Sequence, residues 1–337
     1  MRHRNIPFFV PHAGCPNACV FCSQVKITGK KIEKDRDLEL AELRELLDSV
    51  GEESIKNSDN RIAFFGGSFT AIERGRMINL LSVAKEYIEK GVASGIRIST
   101  RPDCIDGEIL DILEEYGVKE IELGIQSTDN KVLTLSGRGH TAEDSYRACE
   151  MILKRGFTLG GQMMTGLPGA TIESEVKTAS DIVRMGAKES RIYPTVVFEG
   201  TELYRMTQRG EYTPLDTEDA VRRSAACYRI FLDNNVKVLK VGLHSSENLR
   251  QAPCGANHPS IGELIKGRVL SDIIAEKAQD CEGRILDISV GKSQLSMLKG
   301  HGGAEIKRLA EITKADSINV KAGNEKDFCP EVGIRSK

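Results

Sequence analysis

The sequence predicts an α/β chain: a partial (βα)6 barrel of the TIM type, followed by a small C-terminal α/β domain of βααβ order. Three observations carry this expectation. Short apolar runs alternate with longer amphipathic ones from residue 6 to about residue 235, the pattern of βα units around a parallel sheet. Polar clusters fall in the loops after the apolar runs, where a barrel of this kind keeps its site. Beyond residue 283 the order becomes strand, helix, helix, strand.

A chain of 337 residues has room for one large domain and a smaller one. The expected division is a barrel over 1–235, a core-closing connecting segment over 236–282, and the small domain over 283–337. Hydrophobic residues make up 40% and charged residues 28%, as in a soluble globular protein. No apolar run approaches the length of a membrane-spanning helix, and the apolar part of the basic N-terminus is too short and proline-broken for a signal peptide. Nine cysteines, three of them tightly grouped, argue for a reducing compartment and a cytoplasmic location. A net charge of −2 excludes a generally basic nucleic-acid binder, but not a local basic patch.

The first strand, Ile6–Val10, empties into a loop carrying Cys15, Cys19 and Cys22 in C-x3-C-x2-C spacing. Three thiolates this close can hold one soft metal centre. A [4Fe–4S] cluster on three cysteines leaves one iron open for chemistry. A zinc site would draw a fourth ligand, for which His12 is available, and chance clustering of buried thiols is the third alternative. Further strands are expected at Arg61–Phe65, Ile96–Ser99, Glu120–Ile125, Phe157–Met164 and Arg191–Val197, with helices near 37–49, 72–90, 106–116, 142–155, 171–185 and 217–234.

The loops that follow these strands hold the polar candidates. In FFGGSFT, Gly66 and Gly67 let backbone amides approach a ligand closely and Ser68 can hydrogen-bond it. ISTRPD supplies Ser99 and Arg101, and ELGIQSTDNKVLTLSGRGHT supplies Gln126 and Arg138. In GGQMMTGLPGAT, Gln162 is polar within an apolar strand and would face into the barrel, whereas Met163 and Met164 are assigned to packing. RIYPTVVFEGTEL offers Tyr193 and Glu199 on the substrate side. His244, Cys254 and His258 follow at a spacing that fits no standard zinc pattern; a structural loop is expected there, with Cys254 as a substrate-facing thiol the alternative.

The cysteine spacing and these loop sequences, in this order, resemble the radical S-adenosylmethionine (radical SAM) superfamily. Within it they look like the catalytic subunit of Elongator, without its acetyltransferase domain, and more distantly like oxygen-independent coproporphyrinogen oxidase. The resemblance implies a [4Fe–4S] cluster on Cys15, Cys19 and Cys22, with S-adenosylmethionine (SAM) at the open iron. It implies that Gly66 and Gly67 hold the amino group of SAM, with Ser68 where many members are acidic. Gln126 and Arg138 would meet the methionine and ribose of SAM. Ser99 stands where relatives often carry a glutamate on the ribose hydroxyls, leaving Arg101 as a further polar contact, and Gln162 stands where relatives carry Asp or His. The implied activity is reductive cleavage of SAM to a 5′-deoxyadenosyl radical, with a flavodoxin or ferredoxin as reductant. The implied substrate is RNA, a tRNA base; the alternative is a small metabolite such as a porphyrin-type ring.

The C-terminal stretch runs from a strand at Arg284–Val290 through a helix at Ser293–Lys299 to the sequence GHGG. AEIKRLAEIT and DSINVK then supply a helix and a strand. It resembles a minimal KH motif, whose glycine loop clamps the backbone of single-stranded nucleic acid. On that resemblance Gly300, His301, Gly302, Gly303 and Lys307 would contact RNA. Between 292 and 321, six Lys/Arg face three Asp/Glu, a modest positive excess.

Overall fold

The computed structural model describes residues 2–10, 19–23, 35–279 and 281–336, without the side chains of Arg2, Asn57 and His301. Cys15 and His12 therefore lie outside the described residues. The main sheet is built from β1 (Arg2–Val10), β2 (Ser58–Gly66), β3 (Gly95–Thr100), β4 (Val118–Gln126), β5 (Thr158–Thr165) and β6 (Glu189–Pro194). After a two-residue strand, β7 (Val196–Val197), a further strand, β8 (Lys237–Val241), pairs with β6. Every pairing in this sheet is parallel and the strand order follows the chain. Helices connect successive strands, and the sheet curls into a half-barrel.

The expected six strands and their helices are all present, but the sheet has seven strands. Residues 237–241, placed by the sequence pattern in the connecting segment, complete the barrel wall. VKVLKVG is too short and too basic to read as a buried parallel strand; its pairing with β6 is a tertiary fact.

Alternation along the strands sorts their side chains onto two faces. One face is apolar: Ile62, Phe64, Ile96, Ile98, Ile121, Leu123, Leu159 and Ile192 are fully buried. They share one core with Leu80, Leu113, Ile152, Ile182 and Phe231 from the surrounding helices. The other face is polar. Register aligns Arg97 with Glu120, Ser99 with Glu122, Gly124 with Gln162, Gln162 with Arg191, and Arg191 with Lys240. These side chains line the inside of the half-barrel.

The C-terminal domain forms its own three-stranded sheet, with β10 (Ile285–Gly291) between β11 (Ser317–Gly323) and β12 (Glu331–Arg335). β10 and β11 run parallel, and β12 is antiparallel to β10. The helices Leu295–Lys299 and Ala304–Thr313 connect β10 to β11, so the expected βααβ order holds and β12 adds a third strand. The helix Ile261–Lys277 belongs to both cores. Its Ile261, Ile265, Val269 and Ile273 pack with the barrel, and its Leu270 and Ile274 with Leu286, Ile288, Val290, Leu298 and Leu309. Gly267 permits this approach, because a Cβ there would stand 2.6 Å from the Met297 carbonyl oxygen.

Candidate cluster and SAM site

Residues 19–23 are fastened to the strand ends by backbone bonds. Val20 N–H donates to the Ser136 carbonyl at 3.1 Å, and Leu203 N–H donates to the Val20 carbonyl at 2.8 Å. Val20 and Phe21 pack against Val197, Leu203 and Tyr212, which holds the flanking Cys19 and Cys22 at the mouth of the barrel. Cys19 and Cys22 are half-buried, and the Cys22 N–H donates to the Cys19 carbonyl at 3.0 Å.

Arg138 reaches Cys19 across 119 residues of sequence: its Nη1 donates to Cys19 Sγ at 3.3 Å, and its Nη2 to the Gly124 carbonyl at 2.5 Å. Arg101 is clamped by Asp103 through Nε at 2.9 Å and Nη2 at 2.8 Å, and Nη2 also donates to the Arg138 carbonyl. Burial works against the charge of Arg101, but Asp103, and more weakly Cys19, outweigh it and raise its pKa. A guanidinium against a cysteine sulfur complements the thiolate, the form that ligates metal.

Gln126 follows a β-bulge at the end of β4 and sits in the left-handed region, φ 64°. A non-glycine residue there is strained. The bulge turns its amide over Gly124, where an added Cβ would stand 2.9 Å from Gln126 Nε2 and 3.4 Å from Arg138 Nη2. Gly66 has φ 122°, and a Cβ on it would lie 2.5 Å from the Val10 carbonyl oxygen; Gly67 N–H donates to that same oxygen at 3.2 Å. Only glycine fits this crossing between β1 and β2. Ser68 is buried beside it.

Buried polar atoms ordinarily find partners, and here several do not. Among the described residues Arg101 Nη1, Arg138 Nε and Gln126 Oε1 are buried without a hydrogen bond. Unpaired guanidinium N–H groups suit a carboxylate, and an unpaired amide oxygen suits an ammonium or hydroxyl. The donor set fits an amino-acid-like ligand beside a thiolate-held metal, as the amino and carboxylate groups of SAM would be. Burial, with Arg138 next, pushes His140 down to about 4, so it is neutral at physiological pH.

Ser99 and Gln162 stand deeper. Gln162 Nε2 donates to Glu122 at 2.9 Å and to Ser99 Oγ at 3.4 Å. They join an ion network that sequence reasoning missed. Arg97, wholly buried, contacts Glu120 at 2.7 Å, Glu122 at 2.7 Å and Glu189 at 2.6 Å. Arg191 donates through Nε to Glu122 at 2.6 Å, and Arg61 pairs with Glu120 at 3.0 Å. Burial alone would raise Glu122; Arg191 and Arg97 outweigh it and hold its carboxyl below the usual range. The signal was present as strict alternation in Ile96-Arg97-Ile98-Ser99 and Glu120-Ile121-Glu122-Leu123. Tyr193 lies one step above Arg191 on β6, and Glu199 is exposed. Met163 is buried in the outer core as expected. Cys254 lies on β9 (Cys254–Gly255), which pairs antiparallel with β7, and packs beside Phe21 and Tyr212. Among the described residues no three His, Cys, Asp or Glu converge as a metal site.

In the C-terminal loop Gly300, Gly302 and Gly303 all have positive φ, at 65°, 61° and 79°. They turn the chain directly into the helix Ala304–Thr313, with Lys307 in its first turns.

A family model for the radical SAM superfamily matches residues 9–182, and one for the radical SAM C-terminal domain matches residues 187–270. The chain belongs to the radical SAM superfamily and is a radical SAM enzyme, whose cofactors are a [4Fe–4S] cluster and SAM.

Elongator proteins are among its relatives. An uncharacterized protein of Methanocaldococcus jannaschii is 32% identical over 213 residues, covering 60% of this chain and 64% of the relative. The tRNA uridine(34) acetyltransferase of Methanocaldococcus infernus is 39% identical over 128 residues, 37% of this chain and 24% of that one. Human Elongator complex protein 3 is 29% identical over 193 residues, 52% of this chain and 35% of that one. The matches thus span less than two thirds of each relative's length. The solved Elp3 of Methanocaldococcus infernus superposes with a TM-score of 0.61 at 22% identity, covering 88% of this chain and 68% of that one. That likeness speaks for the fold. No helix of the described residues is long and apolar enough to cross a membrane.

Proposed function

We propose that this radical SAM enzyme modifies RNA, at a tRNA base, in the cytoplasm. The observation that carries this is the C-terminal loop. Three glycines of positive φ open onto a helix N-terminus within a βααβ unit, an arrangement that offers bare amides and a favourable dipole to phosphate. The names of the Elongator-type relatives agree with it.

In this reading Cys15, Cys19 and Cys22 hold the cluster. When bound and reduced by a flavodoxin or ferredoxin, the cluster would supply the electron for reductive cleavage of SAM, the radical chemistry of the family. The chain's own groups do the positioning. Gly66, Gly67 and Ser68 cradle the amino end of SAM. Arg138 and Arg101 offer guanidinium N–H groups to its carboxylate, and Gln126 contributes an unpaired amide oxygen. Ser99 and Gln162, held by Glu122, present polar atoms below the ribose. The packed outer core and the helices around the sheet keep water from the reacting centre.

The test is RNA binding at fixed, stated salt, because phosphate contacts are salt-dependent. Replacing His301 and Gly302 together by aspartate sets like charge against the RNA backbone. A Cβ at Gly302 meets nothing within 4 Å and its φ of 61° is a conformation aspartate tolerates better than most residues. The variant should lose most RNA affinity and keep cluster and SAM cleavage. Equal binding by parent and variant would overturn the role of the loop, and a parent that binds no RNA would favour a small metabolite such as a porphyrin-type ring.

A further inference from the structure

Most cations inside the half-barrel are matched to carboxylates; Arg138 instead meets Cys19 Sγ and the Gly124 carbonyl. Arg97, Arg191, Arg61 and Arg101 each hold at least one Asp or Glu. Lys240, His244 and Lys266 hold none among the described residues. Yet they stand together. Lys240 is aligned with Arg191 on the last strand pair of the sheet, so both side chains face the lumen. Lys240 Nζ lies 3.4 Å from His244 Nδ1.

The helix Ile261–Lys277 brings Lys266 toward the same place. Its N-terminus abuts the end of β8, where a Cβ on Gly262 would stand 2.7 Å from the Val241 carbonyl oxygen and one on Gly242 2.4 Å from Ile261 Cγ2. Burial first, then Arg191 and Lys266, lower the pKa of Lys240; burial, Lys240 and Arg191 lower that of His244. Lys240 and Lys266 are half-buried, repel one another and have no counter-charge among the described residues, while the exposed His244 offers Lys240 only a ring nitrogen. That arrangement is unfavourable in isolation and becomes favourable once an anion bridges it. A helix N-terminus on the same side adds to the attraction.

We infer that Lys240, Lys266 and His244, backed by Arg191, form a phosphate-binding subsite at the β8 edge of the barrel. β8 is the last strand of the sheet, so the subsite lies at the open side rather than under the cluster loop. The lumen network leaves it unneutralised because the Arg191 guanidinium is turned inward onto Glu122 through Nε and Nη2. The ligand chemistry is a phosphate, carried either by a polynucleotide or by a mononucleotide. The subsite stands on its own geometry and does not depend on the glycine-loop reading.

The experiment is binding of pyrophosphate to the full chain by calorimetry at fixed low ionic strength. Lys240→Gln and Lys266→Gln should each weaken it about tenfold or more, since a charged hydrogen bond is lost, and Lys240→Arg should retain most of the affinity. Lys237→Gln removes the same charge from an exposed position on the same strand and should change nothing. Affinity unaltered in Lys240→Gln, or lost equally in Lys237→Gln, would overturn the subsite. Urea unfolding of each variant separates lost binding from lost folding, and Lys266→Gln provides an independent reading should Lys240→Gln fail to fold. Competition then distinguishes the sources: displacement by single-stranded RNA but not by a nucleoside monophosphate assigns the phosphate to a polynucleotide, and the reverse to a mononucleotide. Either result supports the subsite. Displacement by neither overturns it.

Discussion

Replacing Arg97 by methionine removes the cation from the most enclosed part of the barrel. The guanidinium is fully buried between Glu120, Glu122 and Glu189 at 2.6–2.7 Å. After the change Glu120 still has Arg61 and Glu122 still has Arg191, but Glu189 keeps no ion-pair partner among the described residues. Breaking one partner out of a buried pair costs about 3–5 kcal/mol, a large share of a typical stability of about 5–15 kcal/mol. The apolar methionine offsets a little of this by filling the volume.

The deficit should depend on pH with a definite sign. In the parent the carboxyl of Glu122 is held low, so its contribution is present above the unfolded value of about 4.3 and is lost as pH falls through the folded value. In the variant the deprived carboxylates bind protons at higher pH, and the folded state gains on acidification. The gap between parent and variant should therefore narrow from about pH 8 to about pH 5. Urea unfolding across that range measures it, and adding Glu189→Gln to Arg97→Met should recover part of the loss. A deficit below about 1 kcal/mol, or one that does not change with pH, would refute the account of the network as a set of mutually dependent charges.

Three further outcomes are expected. Anaerobic reconstitution should load about four irons per chain in the parent, and Cys19→Ser or Cys22→Ser should prevent it; a tightly held zinc with no iron uptake would contradict the cluster assignment. Arg138→Ala should weaken SAM binding by about 1.5–3 kcal/mol with the cluster retained, and unchanged affinity would remove Arg138 from the SAM site. Burial holds His140 at about 4 in the folded chain against about 6.5 unfolded. The unfolded chain binds the proton the folded chain refuses, so stability falls as pH drops through that window, by up to about 3 kcal/mol. His140→Gln should flatten this slope, and identical pH profiles for parent and variant would show that the buried imidazole is not its source.

Much of the barrel was legible because the signals are local. A strand or helix announces itself by the period of its own apolar residues, and Ile96–Ser99, Glu120–Ile125 and the helices after them fall where that period places them. The Gly66–Gly67 pair falls at the end of β2, Gln126 closes β4 and Arg138 follows the short helix Asn130–Leu135, and parallel strands deliver such segments to one end of a sheet. Positive φ at Gly66 and in the loop Gly300–Gly303 likewise follows from residues that can adopt it without a Cβ clash.

What the sequence did not contain in local form were the partners. Arg138 meets Cys19 from 119 residues away, and Arg97 meets Glu189 from 92; both contacts depend on strand register and sheet curvature accumulated over intervening elements. β8 is a strand because β6 offers it an edge, and helix Ile261–Lys277 is apolar on two sides because two cores press on it. The chain by itself determined which elements form and which turns carry polar residues, since propensity and periodicity act over a few residues. Only the tertiary structure decided which charges meet in the lumen and which cations remain without a counter-charge, since Coulombic pairing depends on distances that register and curvature set.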